Sequence, residues 1–315
     1  MAFLQLSGWI FVLCAALYVL VRSSDLFVEG AKRVGLSSGI SSFAVGVVIV
    51  AFGTSLPELA SSIAAAIEGA PQIVIANVVG SNIANILLII GALALLHGSV
   101  PIDSDLKRNE LPVFFLSTAI FVAVVYNGRI DRWEGLLLLS AFSVYLWFLF
   151  AHAKKEGKLK KRRRLQKITK EEVGFLLLGL VGLLVGAHFV VDMTVNIATV
   201  LAVPLGIISI LAIAFGTSLP ELFVVFNAYK KGETEMAIGS IYGSNTFNML
   251  VVAGVPALIT LLRTDASLAQ LGIPMLVIAS AFFCINGLSA RITRIEGAVM
   301  VLLFAYFVIK LVTFL

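Results

Sequence analysis

A nine-residue string, AFGTSLPEL, occurs twice in the chain, from Ala51 to Leu59 and again from Ala214 to Leu222. Each copy sets a glycine, two hydroxyl side chains, a proline and a glutamate into an otherwise apolar run. A second pair follows in register, GSNIAN from Gly80 to Asn85 and GSNTFN from Gly243 to Asn248. Glu58 and Glu221 are thus 163 positions apart, as are Asn85 and Asn248. An offset kept without insertion over the whole unit predicts two halves of one fold, each built on the same plan.

Composition sets the medium. Of 315 residues, 60% are hydrophobic and 13% charged, with a mean hydropathy of +1.04; a soluble domain carries roughly 25% charged residues. A membrane-spanning helix needs about 20 apolar residues. Ten such runs separate, at 3–28, 39–67, 71–97, 110–126, 134–152, 172–195, 205–229, 235–262, 268–287 and 293–314. None alternates apolar and polar residues as a barrel strand would, so the expected fold is an all-α membrane protein with ten transmembrane helices. The net charge of +5 is not a nucleic-acid signal, because the basic residues concentrate between apolar runs. Cys14 and Cys284 lie within such runs, far apart, and offer neither a disulfide framework nor a paired-cysteine site. The first run lacks a basic lead and a small-residue cleavage site, so it reads as a retained helix rather than a signal peptide.

The basic residues also predict orientation, since Lys and Arg favour the cytoplasmic side. With the amino terminus outside, the connections at Arg22 to Arg33, Lys107 to Arg108, Lys154 to Lys170, Lys230 to Lys231 and Arg291 to Arg294 are cytoplasmic. They hold 19 of the 23 Lys and Arg residues, leaving Arg129, Arg132, Arg263 and Lys310 opposite. Both termini are then extracellular and the protein resides in the cell membrane. The segment 154–171 is a basic cytoplasmic linker between a first five-helix repeat, 1–153, and a second, 172–315. Its clustered Lys and Arg suit a solvated linker that fixes topology, and a contact with anionic lipid is the other reading. Because five is odd, the second repeat enters from the opposite side. The two repeats are therefore expected to be inverted, a plan of secondary transporters in which substrate sits at the midplane between them.

Glu58 and Glu221 fall well inside apolar runs, where an ionised carboxylate costs about 2.5–3.5 kcal/mol on insertion scales. No Lys or Arg falls at comparable depth, so ion pairing across a helix interface does not account for them. Pro57 and Pro220 precede the acids, and Gly53 and Gly216 loosen the same turns. Together they should break the helix and free carbonyls around Ala51, Thr54, Ala214 and Thr217 toward a cavity. Ser81 and Asn85, like Ser244 and Asn248, lie one helical turn apart on one face. Every candidate ligand is an oxygen. Calcium accepts six to eight oxygens in flexible geometry, magnesium holds its waters, and carbonyls and hydroxyls also suit sodium. The absence of His and Cys from the cluster disfavours zinc and copper. Two ionised glutamates are neutralised by one divalent cation, by two monovalent ions or by two protons. Asp25 and Glu29, which correspond through the offset to His188 and Asp192, read instead as interfacial pairs or helix-end caps.

Both AFGTSLPEL strings and both GSN strings resemble the repeats of the sodium/calcium exchanger family, within the wider cation/calcium antiporter superfamily, and the short linker is similar to its prokaryotic members. The resemblance covers nearly the whole chain. It implies ten helices, alternating access, three sodium ions exchanged for one calcium, and no enzymatic activity or prosthetic group. It also implies ion ligation by Glu58 and Glu221, by Asn85 and Asn248, by the hydroxyls of Thr54, Ser55, Ser81, Thr217, Ser218 and Ser244, and by the carbonyls of Ala51 and Ala214. Asn248 departs from relatives with Asp there, which weakens a case for potassium co-transport, and Asn at both positions is also compatible with proton-coupled relatives. The competing readings are a proton/calcium antiporter, a cation channel and, among enzymes, an intramembrane hydrolase using paired carboxylates. Oligomeric state is not encoded in these patterns.

Overall fold

The computed structural model describes every residue except 1, 39–40, 103, 160–167, 201–215, 217, 265–267, 290 and 315. The described chain is almost wholly helical. Its first half contains α1 (Ala2–Ser38), α2 (Ser42–Thr54), α3 (Leu56–Ile67), α4 (Pro71–His97), α5 (Ser104–Val125) and α6 (Arg132–Leu159). Two short strands, β1 (Ser99–Pro101) and β2 (Arg129–Ile130), join α4 to α5 and α5 to α6. The second half contains α7 (Lys170–Val200), α8 (Leu219–Lys230), α9 (Thr234–Phe247), α10 (Gly254–Ile259), α11 (Leu268–Leu288) and α12 (Arg294–Phe314). Here β3 (Leu262–Arg263) follows α10 and β4 (Arg291–Thr293) follows α11.

Burial sorts these helices into a core and a rim. Across the most apolar stretch of α4, 78% of residues are buried, against 28% for α1 and α7 and 22% for α12. The rim helices turn Phe11, Tyr18, Leu177, Leu178, Leu302 and Ile309 outward. An apolar belt of that extent marks a surface that meets something other than water. With their apolar length, these helices are those of a multi-pass membrane protein.

Small residues set the closest helix contacts, as expected where lipid removes the hydrophobic drive for helix association. Gly30 of α1 lies against Phe175 and Leu176 of α7, Gly179 against Phe27, and Gly186 against Leu20. As one index rises the other falls, so α1 and α7, which the offset makes counterparts, run antiparallel. A second set of contacts exchanges the halves. Gly91 and Ala94 of α4 meet Gly297 of α12, while Gly254 and Ala257 of α10 meet Gly135 of α6. The 163-residue offset carries Gly91 onto Gly254 and Ala94 onto Ala257. The strands repeat the pattern. β1 pairs antiparallel with β4, placing Val100 opposite Ile292, and β2 with β3, placing Ile130 opposite Leu262. Each ribbon thus joins one strand from either half, and the exchange of halves turns one ribbon into the other. These contacts thus exchange between corresponding positions of the two halves.

The stretch from Arg22 to Arg33, expected as part of a connection, is helical and belongs to α1. Its polar residues are tied down rather than looped out. Glu29 and Arg33 pair one turn apart at 2.7 Å, and Lys32 meets Glu233 at 2.6 Å. The Asn227 amide donates to Asp25 Oδ1 at 2.9 Å, and Lys231 Nζ donates to the Asp25 carbonyl at 2.9 Å. Asp25 therefore makes the interfacial contact expected of it, whereas Glu29 pairs within its own helix, and His188 meets Asp192 at 3.4 Å along α7. Helix α6 likewise continues through Lys154 to Leu159, into the expected linker, because Lys and Glu are good helix formers.

The Gly91 crossing gives a test. A Cβ there would lie 2.8 Å from Met300 Cβ and 3.1 Å from the Gly297 carbonyl oxygen, whereas one at Gly174 meets nothing within 4 Å. Gly91→Ala should cost about 1–3 kcal/mol through overpacking, while Gly174→Ala should be neutral or slightly stabilising. Thermal unfolding of both variants in detergent reads the difference.

Candidate functional site

In both motif copies a helix begins directly after the same serine, held in the same conformation. Ser55 adopts φ −88°, ψ 7° and Ser218 φ −88°, ψ 1°, in the sparsely populated bridge between helix and strand conformations. The break bends α2 from α3 by 41°. Proline then sits in the first turn of the next helix, where its missing N–H costs no hydrogen bond. Glu58 and Glu221 follow in those first turns. A first turn presents N–H groups without intrahelical partners and the positive end of the helix dipole. The break therefore brings a source of positive potential to each buried acid; both glutamates are 1% exposed.

One carbonyl is satisfied where an open one was expected. The Ala51 oxygen accepts the Ser55 N–H at 3.0 Å and the Thr54 hydroxyl at 3.3 Å. The main-chain oxygen deprived of its amide donor by a proline ring is that of Gly53, four residues before Pro57. Ala214 and Thr217, expected to mirror Ala51 and Thr54, lie outside the described residues.

The two motif copies meet. Ser55 Oγ donates to Glu221 Oε1 at 3.1 Å, joining the first break to the second acid. Gly243, which opens the second GSN string, packs on Val47 and Ala51. The amides enter through a second backbone irregularity. Asn85 lies within a π-helical segment, Ala84–Ile90, and Asn248 opens another, Asn248–Val252. Such wide turns are rare and occur frequently at functional sites. Helix α3, bearing Glu58, packs on the turn of Asn248, while α8, bearing Glu221, packs on the turn of Asn85. Each acid-bearing helix thus meets the amide-bearing turn of the other half.

Ser55, Thr54, Ser81, Ser218, Ser244, Asn85 and Asn248 are all buried. Among the described residues, the amides of Asn85, Asn245 and Asn248, the hydroxyls of Ser218 and Ser244, and Glu221 Oε2 make no hydrogen bond within the chain. A buried polar atom without a partner costs about 1–3 kcal/mol. So many in one region make an environment that a bound ligand would stabilise. Among the described residues no three His, Cys, Asp or Glu side chains cluster. The donors are two carboxylates among neutral oxygens, the chemistry of hard cations such as calcium and sodium.

Sequence reasoning passed over Asn82 and Asn245. Both are fully buried and lie 163 positions apart; the Asn82 amide donates to the Val78 carbonyl at 2.6 Å. Their signal lay in the doubled GSN strings, where an amide recurs at the same offset. Also missed was the role of Asn77, whose amide nitrogen lies 3.2 Å from the Glu58 carbonyl oxygen.

The chain is similar to several known proteins. The sodium/calcium exchanger protein family model matches residues 8–151 and 172–313. The chain is 36% identical to the inner membrane protein YrbG of Escherichia coli over 79% of either chain. It is 31% identical to the sodium/calcium exchanger MaX1 of Methanosarcina acetivorans, covering 95% of this chain and 97% of that one. The sodium-calcium exchanger NCX_Mj, in a structure soaked with 2.5 mM Na+ and 0.1 mM Ca2+, superposes with a TM-score of 0.82 at 29% identity, over 96% of this chain and 97% of the other.

The Ser55 to Glu221 bond is measurable by its removal. Ser55→Ala leaves a buried carboxylate short of a donor and should destabilise the protein by about 1–3 kcal/mol. Ser140→Ala, which removes an exposed hydroxyl bonded within its own helix, should change stability by less than about 0.5 kcal/mol. Thermal midpoints of the two variants in one detergent make the comparison.

Proposed function

Because the chain belongs to the sodium/calcium exchanger family, we propose that it is a secondary antiporter that exchanges calcium for sodium across the cell membrane by alternating access. The observation that carries this reading is the hydrogen bond from Ser55 to Glu221, which brings the break of one repeat to the acid of the other. Glu58, Glu221, Asn85 and Asn248 are the central ligands in this reading. Thr54, Ser55, Ser81, Thr217, Ser218 and Ser244, with the main-chain oxygens of Ala51 and Ala214, complete sites for calcium and sodium near the midplane.

Charge explains why such a site exchanges ions. Two buried glutamates carry two negative charges, which one calcium neutralises. Two sodium ions do the same, so occupancy by one species disfavours the other through Coulomb repulsion in a medium of low dielectric. A third sodium leaves one positive charge in transit. Exchange at three to one is then electrogenic, driven by about 2.3 kcal/mol per charge for each 100 mV.

Ten spans arranged as two inverted five-helix repeats, 1–153 and 172–315, give the machine its two faces. The antiparallel pairing of α1 and α7 and the swapped ribbons support that arrangement. Both termini are extracellular in this reading, and the 154–171 linker is cytoplasmic, close enough to the bilayer for its basic residues to meet anionic lipid. A cysteine replacing Lys161 should react with a membrane-impermeant maleimide in inside-out vesicles and stay unlabelled in intact cells; labelling in intact cells would reverse the orientation.

The function itself is tested with purified protein in sodium-loaded vesicles. Calcium-45 uptake should follow the outward sodium gradient and accelerate with a positive internal potential, while Glu58→Gln and Glu221→Gln each reduce it to background. Uptake that follows a pH gradient and ignores sodium would make protons the counter-ion. Calcium flux with no counter-ion dependence would make the protein a channel.

A further inference from the structure

The two halves are not chemically equal, and the difference sits directly behind one acid. The Asn77 amide nitrogen lies 3.0 Å from Ser62 Oγ, 3.2 Å from Ser61 Oγ and 3.2 Å from the Glu58 carbonyl oxygen. Ser61 Oγ donates to the same Glu58 carbonyl at 3.1 Å. On its other side, the Asn77 amide oxygen accepts from Ser81 Oγ at 3.4 Å. Asn77 and Ser62 are buried at 4% and 0% exposure. One amide on α4 therefore grips the main chain of the first acid from behind and touches a hydroxyl from the GSN string.

Among the described residues the second half repeats none of this. Moved by 163 positions, Asn77 becomes Ser240, and Ser61 and Ser62 become Val224 and Val225. The Ser240 hydroxyl turns back to the Ala237 carbonyl of its own helix at 2.8 Å. Val224 and Val225 are packed in the apolar core, and Ser244 Oγ makes no hydrogen bond to Ser240. All three members of the polar cluster change together, so the asymmetry is that of a unit. Glu58 is gripped through its main chain by Asn77 of its own repeat, a hold the Ser240 hydroxyl, turned to Ala237, does not give Glu221; the Glu221 carboxylate accepts from Ser55 of the other repeat.

We propose that Asn77 is a positioning residue for calcium: it fixes the Glu58 turn so that one half of the ion site is preset and the other adjusts around the bound ion. The proposal rests on the exchanger reading above. Asn77 need not touch the ion; it acts through Glu58 and Ser81, as outer-shell partners act on metal ligands. Loss of such a partner typically costs 10- to 100-fold in metal affinity. Calcium, which needs six to eight oxygens, should suffer more than sodium from a loosened acid.

The experiment compares the natural protein with Asn77→Ser, the residue that the other half carries. Both are assayed in the same sodium-loaded vesicles and, in detergent, for the calcium concentration that half-maximally raises the thermal midpoint, since a ligand stabilises the state it binds. Asn77→Ser should raise the calcium KM and the half-stabilising concentration by roughly 10-fold or more, with the maximal rate and the sodium half-saturation within about twofold of the natural protein. Asn77→Asp, which keeps the acceptor for Ser81 and loses the donor to Glu58, should behave like Asn77→Ser. An unchanged calcium KM in Asn77→Ser, a natural affinity in Asn77→Asp, or a parallel fall in rate and in both ion affinities would each overturn the proposal. If Asn77→Ser does not fold, the inverse variant decides: Ser240→Asn with Val224→Ser and Val225→Ser installs the cluster in the second half and should lower the calcium KM, and an unchanged or higher value counts against the idea. The natural protein separates the two levels, because absence of sodium-driven calcium uptake there sinks the exchanger reading itself, whereas normal uptake with no effect of Asn77→Ser sinks only this one.

Discussion

Two carboxylates buried in an apolar helical protein are the constraint to which the rest of this structure answers. Each costs about 2.5–3.5 kcal/mol at the centre of a membrane, and no buried Lys or Arg among the described residues offsets either. The compensation comes from backbone. A serine in the bridge conformation precedes a helix with proline in its first turn, and the acid takes its place in that turn, whose N–H groups and dipole favour negative charge. Proline and glutamate are thus adjacent for a reason: the ring that ends one helix creates the helix start that tolerates the acid.

The break alone would leave polar backbone exposed to its surroundings, so the neighbouring helices must approach closely and present polar side chains. Gly243 lets α9 lie directly on Val47 and Ala51, and Gly46 does the same from α2 toward Met236 and Ser240. The π-helical segments at Asn85 and Asn248 complete the arrangement, for a wider turn redirects an amide without ending the helix that carries it. Close packing of small residues and local irregularity of the backbone are therefore two parts of one solution to burying charge.

Much of this was legible in the chain. The doubled strings hold both buried glutamates and about half of the buried polar residues, because a glutamate in an apolar run is visible without coordinates. The apolar runs marked where helices lie better than where they end: α1 reaches Ser38 and α6 reaches Leu159, since hydrogen bonding continues into polar residues that apolarity does not count. The proline rule points four residues back, to Gly53, as the carbonyl without an amide donor, while Ala51 retains the N–H of Ser55. The swapped ribbons were invisible, being pairings of two or three residues between segments more than a hundred positions apart. The difference between Asn77 and Ser240 could be seen in the sequence but not explained, because its cause lies on neighbouring helices, where Ser61 and Ser62 of one half correspond to Val224 and Val225 of the other.

The bond between Ser55 and Glu221 spans 166 positions, and that distance has a bearing on how the protein is made. At roughly 5–20 residues per second, a ribosome needs on the order of ten to thirty seconds to travel from one partner to the other. Throughout that interval the nascent first half carries Glu58 with no second repeat to pack against it. Its early survival in the bilayer depends on what it owns already: the first-turn amides of α3 and the grip of Asn77 on the Glu58 main chain. The half synthesised first is also the half that brings its own support.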